Sequence, residues 1–193
     1  HAIGNHESIK YLMKTEDGHI LESVLIAQSG RRTVCLSTQL GCRIKCPFCA
    51  SGKGKFGRNL TAGEIVEQVS IISRHLMQKN RSFRRKPESP PKNRRDSSGR
   101  IPPCSLENSR SLDPGVRRDD RTCITNIVFM GMGEPLDNYE ATMKAIEILT
   151  ADWGFGLGGR RITVSTSGIT PMIERFVHDS RGRVRLSISL HSS

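Results

Sequence analysis

The feature that most restricts the fold of this chain is an alternation. Short apolar runs, each followed by a loop rich in glycine and polar residues and then by a segment of helical periodicity, recur about four times. The run "RTVCLST" leads through a cysteine-rich loop into "TAGEIVEQVSIISRHLM", where Ile65, Val69, Ile72 and Leu76 fall on one helical face. Thr61 and Glu64 stand at the spacing of a capping box and mark the start of that helix. "ITNIVFM" has the continuous apolar character of a buried parallel strand and precedes "DNYEATMKAIEILTAD", a predicted helix capped at Asp137. "RRITVST" precedes the predicted helix "ITPMIERFVHD", and "VRLSISL" is a further strand; upstream, "LESVLIA" also has strand composition. The expected fold class is therefore α/β, a parallel sheet of about four core strands joined by right-handed crossovers and covered by helices. Periodicity alone does not tell whether such a sheet closes.

In sheets of this kind the reacting groups collect at the carboxyl ends of the strands. Here those ends carry "GCRIKCPFCASG", "GMGEPLDN", "STSG" and "SLH". Four of the six cysteines, Cys35, Cys42, Cys46 and Cys49, lie within fifteen residues, a crowding that suits metal or redox chemistry better than a disulfide framework. A structural zinc would need a fourth ligand beside Cys42, Cys46 and Cys49, and Cys35 is the nearby thiol. An iron–sulfur cubane held by three thiolates would instead leave one iron open for a ligand that is not protein.

The net charge of +11 is unevenly placed. Residues 79–121 hold thirteen Lys and Arg against six Asp and Glu, together with six of the nine prolines, and show no apolar periodicity. This stretch reads as a disordered, basic, Pro-rich insertion over 79–122, because it has too little apolar surface to offset its ordering entropy. A solvated loop is the simpler reading and a basic RNA-binding arm the functional one. No run of apolar residues long enough to span a membrane and no secretory leader is found in the sequence, so a cytoplasmic protein without a membrane partner is expected.

Several motifs together carry a family resemblance. The spacing Cys-x3-Cys-x2-Cys, with Phe48 before its last cysteine, resembles the signature of the radical S-adenosylmethionine superfamily. More narrowly, "CLSTQLGCRIKCPFCASG", "GRNLTAGEIVEQV", "VFMGMGEPLDNY", "GFGLGGRRITVSTSGI" and "LSISLH" resemble, in order, the bacterial RNA adenine methyltransferases of the RlmN and Cfr kind. The resemblance implies an incomplete radical-SAM partial (β/α) barrel, with residues 1–30 ending a preceding region and 31–193 forming the core around the 79–122 insertion. It implies a 4Fe-4S cluster on Cys42, Cys46 and Cys49, with S-adenosyl-L-methionine chelating the open iron and cleaved to a 5'-deoxyadenosyl radical. The protein's part would be to position and shield that chemistry.

The same resemblance assigns further residues. Gly133 and Glu134 match the cofactor-binding Gly-Glu pair, and Ser165, Ser189, Leu190 and His191 match contacts to its methionyl and adenosyl parts. Cys35 matches a cysteine that resolves a protein–RNA adduct by forming a disulfide, and Glu22 matches a proton acceptor. On residue chemistry alone Cys35 is equally a small apolar filler and Glu22 an exposed strand glutamate. The implied activity is methylation of adenosine carbon 2 in ribosomal and transfer RNA by a monomer fed by flavodoxin or ferredoxin. Carbon 8 and a noncatalytic metal- and RNA-binding module are the alternatives. The family's methyl-carrying cysteine has no counterpart, since no cysteine follows Cys123, and the chain reads as a fragment for which complete methyl transfer is not expected.

Overall fold

A computed structural model describes residues 7–47, 49–83 and 124–189. One six-stranded sheet runs in the order β1 (Glu7–Lys14), β2 (Ile20–Gln28), β3 (Arg31–Cys35), β4 (Asn126–Phe129), β5 (Ile162–Thr166) and β6 (Arg185–Ile188). The first three strands are antiparallel, whereas β3 to β6 are parallel. Helices α1 (Ala62–Phe83), α2 (Tyr139–Thr150) and α3 (Thr170–Ser180) make the crossovers. The parallel part is the expected α/β unit. The antiparallel hairpin in front of it is not foreseen by the alternation, because "ESIKYLMK" carries charge on its open side and reads poorly as a strand.

The hairpin turns have plain chemical causes. Between β2 and β3 the chain reverses in two residues, Ser29 and Gly30, both at positive φ (47° and 79°), as a primed turn requires. At the other reversal Gly18 sits at φ 86° and the Thr15 N–H donates to the His19 carbonyl at 2.9 Å.

Burial alternates along the strands and identifies the two faces of the sheet. Leu21, Leu25, Val34, Ile127, Phe129, Ile162 and Val164 point to one side, where they form a core with Ile65, Val69, Ile72 and Leu76 of α1, Ala145, Ile146 and Leu149 of α2, and Phe176 of α3. The opposite face is partly open. It carries Glu22 and Val24 of β2, Cys35 of β3, Val128 of β4, Ser165 of β5 and Ser187 of β6, because Val24 pairs with Cys35, Cys35 with Val128, and Ser165 with Ser187.

The predicted α1 start holds: the Thr61 N–H donates to Glu64 Oε2 at 2.8 Å and the Glu64 N–H to Thr61 Oγ1 at 3.2 Å. Two boundaries differ. The helix α1 continues to Phe83, so residues 79–83 of the expected insertion are helical, while 84–122 lie outside the described residues. The cap of α2 is Asn138, not Asp137, and it makes no side-chain cap bond. Asn138 is buried and instead donates from Nδ2 to the carbonyls of Thr38 and Leu60, both at 2.8 Å, while Asp137 is taken up by other partners. Among the described residues no helix is long and apolar enough to cross a membrane.

Candidate active site

The site forms where β3, β4 and β5 end. Beyond Cys35 the chain continues extended as Leu36–Leu40, all buried, and the loop after β4 folds against it. The Leu36 N–H donates to Val128, the Gly131 N–H to Leu36, and the Thr38 and Gln39 N–H groups to Met132, at 2.8–3.2 Å. Contact is close enough to exclude side chains. A Cβ on Gly131 would stand 2.7 Å from the Leu36 backbone, and one on Gly133, at φ 100°, would stand 2.5 Å from Gln39 Cβ. Glycine at 133 is thus required both by its positive φ and by the close approach of Gln39.

That approach presents Glu134. Its carboxylate is buried and held at both oxygens: Oε1 accepts from the Leu136 N–H at 3.1 Å, and Oε2 from the Ser167 N–H and Oγ at 2.9 and 3.0 Å. Ser167 belongs to the loop after β5, so one carboxylate ties two strand ends together. The sequence pointed to "STSG" but not to Ser167 within it. Ser165 lies instead on the open sheet face, half-buried beside Ser187. Ser189 is exposed and its N–H donates to the Thr166 carbonyl at 2.9 Å; Leu190 and His191 lie outside the described residues.

The cysteine loop curls beside Glu134. The Cys49 N–H donates to the Cys46 carbonyl at 3.0 Å and the Gly52 N–H to the Cys49 carbonyl at 3.1 Å, ahead of a 3-10 turn at Ala50–Lys53. Cys35, Cys42, Cys46 and Cys49 are free thiols. Burial pushes the Cys46 thiol up, with further contributions from the neighbouring Cys42, Cys49 and Glu134. Among the described residues no three Cys, His, Asp or Glu side chains converge on a point that would hold a single metal ion. A cubane makes a different demand, because each thiolate takes its own iron and the ligands need not meet. Three free thiols on one curled loop fit that donor set. Phe48 lies outside the described residues.

Cys35 is half-buried on the open face, and burial raises its thiol against a hydrogen bond from the Met130 backbone. Glu22 lies on the same face, paired with Lys10 Nζ at 3.0 Å and 43% exposed. A cleft between the hairpin and the cysteine loop is lined by Lys10, Glu22, Gly41, Ser51, Lys55 and Met132. Two arginines fasten the cysteine loop to its neighbours. Arg43 lies over the Phe56 ring at 4.5 Å and 3.6 Å from Asp137, while Arg58 donates to both oxygens of Glu64 (2.9 and 2.7 Å) and to Asp17 Oδ2 (2.7 Å).

No family model matches the chain. A "Probable dual-specificity RNA methyltransferase RlmN 2" of Opitutus terrae is 42% identical over 95% of the chain and 41% of its own length. The "Dual-specificity RNA methyltransferase RlmN" of Nautilia profundicola is 38% identical over 100% of the chain and 46% of its own length. Among solved structures, a radical SAM methyltransferase of Sphaerobacter thermophilus superposes with TM-score 0.71 at 39% identity, covering 96% of the chain and 42% of that protein. The chain therefore spans less than half the length of these relatives. Over that span, by sequence and by fold, the chain is similar to proteins described as RlmN-type RNA methyltransferases and to a radical SAM methyltransferase.

Proposed function

We propose that the chain is the front part of the catalytic core of an RNA adenine methyltransferase acting on carbon 2 of adenosine in ribosomal and transfer RNA. The observation that carries this reading is Glu134, a buried carboxylate fixed by Ser167 and Leu136 beside the loop of Cys42, Cys46 and Cys49. In this reading the three cysteines hold a 4Fe-4S cluster. When bound, that cluster and S-adenosyl-L-methionine supply the one-electron cleavage and the methyl group, with flavodoxin or ferredoxin as electron donor.

The chain's own residues do the rest. Glu134 has its carboxylate oriented before anything binds, so accepting a ligand ammonium needs no reorganisation. Gly133, Ser165, Ser189, Leu190 and His191 bind the remaining parts of the cofactor. The open sheet face receives the base, with Glu22 as proton acceptor and Cys35 as the thiol that closes a disulfide with a second cysteine. A cytoplasmic monomer with residues 31–193 as core is the accompanying organisation.

The test is anaerobic reconstitution followed by iron and sulfide analysis. Cys42→Ala, Cys46→Ala and Cys49→Ala each lose the cluster, whereas Cys35→Ala keeps it. Wild-type content in Cys46→Ala, or a sulfide-free zinc protein, overturns the assignment.

A further inference from the structure

Gln39 is fully buried, yet every polar atom of its side chain is engaged. Its Oε1 accepts the Glu134 N–H at 2.9 Å, and its Nε2 donates to Asp137 Oδ2 at 2.7 Å and to Asn59 Oδ1 at 2.8 Å. The amide orientation is dictated by its neighbours. A backbone N–H only donates, so the atom facing Glu134 is the oxygen; a carboxylate only accepts, so the atom facing Asp137 is the nitrogen. Three segments meet on this one side chain: the glutamate loop at Glu134 and Asp137, the returning arm of the cysteine loop at Asn59, and the extension of β3 that carries Gln39 itself. Asp137 continues the link to Arg43, inside the cysteine loop, at 3.6 Å. Gly133 packs directly on the same side chain.

We infer that Gln39 is a positioning residue that locks the cysteine loop and Glu134 into one register, so that a single ligand can engage both. This inference rests on the cofactor reading above for the identity of the ligand. The chemistry admits few replacements. Methionine fills a similar volume but leaves the Glu134 N–H and Asp137 without their partner. Glutamate keeps an acceptor for Glu134 but sets a second carboxylate against Asp137. Pairing Gln39→Glu with Asp137→Asn exchanges donor and acceptor across that contact and keeps the original charge, while Asn59, which meets the same atom through Oδ1, turns its amide to donate.

Amide hydrogen exchange and cofactor binding give two separate readouts. In the protein without cofactor, Gln39→Met speeds exchange at the Glu134 amide by about tenfold, the effect of losing one buried hydrogen bond. In the reconstituted protein, equilibrium dialysis with S-adenosyl-L-methionine shows affinity lowered about tenfold or more in Gln39→Met and Gln39→Glu at undiminished iron content. Gln39→Glu/Asp137→Asn returns it to within about threefold of wild type. A side chain that merely fills space would be replaced by methionine without effect, and the exchanged pair would rescue nothing; wild-type exchange and affinity in Gln39→Met overturn the inference. Reconstituted wild type that binds no cofactor overturns the functional reading, while the exchange measurement still judges Gln39.

Discussion

At the scale of single residues, buried amides work beside the Glu134 carboxylate to hold the loops of this domain. Gln68, on α1, accepts from Ser23 Oγ at 2.6 Å and the Ser37 N–H at 3.0 Å, and donates to the Ser37 carbonyl at 2.9 Å. One side chain thereby fastens the helix to β2 and to the extension of β3. Gln68→Leu preserves the bulk but strands three buried polar groups, and it should lower unfolding free energy by about 3 kcal/mol in a denaturant titration. Ser23→Ala should cost only about 1 kcal/mol, since Gln68 keeps its other partners. The sequence gives no sign of either Gln39 or Gln68 as a hub. A glutamine in a loop or on a helix reads as surface, and only the fold reveals that its amide replaces backbone pairing the loops cannot make for themselves.

At the scale of elements, the hairpin and α1 are joined by Arg58. Its guanidinium holds the Glu64 carboxyl down to about 2 from 4.5, and holds Asp17, in the β1–β2 turn, well below the ordinary carboxylate range, with Thr15 assisting. Both carboxyls are depressed in the folded state, so their contribution is complete above their unfolded values and is lost as pH falls from about 4.5 towards 2. Thermal unfolding across that window should be steeply acid-labile in wild type. In Arg58→Met the protein should be less stable at neutral pH but show a shallower slope, corresponding to up to about two fewer protons taken up on unfolding. The magnitude at neutral pH should be modest, because the groups are partly solvated. The α1 capping box was legible because it is a local bond between residues three apart. The α2 cap was not, because Asp137 and Asn138 are claimed by Gln39, Arg43 and the Thr38 and Leu60 carbonyls, all distant in sequence. Likewise β1 escaped notice, since its exposed lysines hide a strand whose other face buries Met13 and places Tyr11 Oη 2.9 Å from His75 Nδ1.

At the scale of the whole molecule, the helix-covered parallel sheet followed from periodicity, and the gathering of the candidate loops at one rim followed from topology. The ownership of the site was less visible: Glu134 was legible from its motif, its holder Ser167 was not. The basic segment stands apart from this framework in the sequence, because its composition offers nothing to a core. Replacing residues 84–122 by a short flexible linker should leave the melting temperature within a few degrees, since closure entropy changes by only about 0.6 kcal/mol per doubling of loop length. Loss of cooperative melting in the shortened protein would show that the segment contributes to the core. Any RNA affinity that falls on removal should fall most at low salt, as counterion release requires.

The two-residue reversal at Ser29 and Gly30 acts as an indexing stop. Side chains change face at every step along a strand, so the register set at that tip decides that Glu22 shares the face of Cys35 while Ser23 reaches Gln68. Point changes along β2 alter one contact each. A single residue added or removed at the tip would turn the whole strand over, sending a carboxylate into the helix-covered core and leucines onto the open face. Lineages of this domain should therefore tolerate many spellings of that hairpin but only one length, or lengths that differ in compensated pairs.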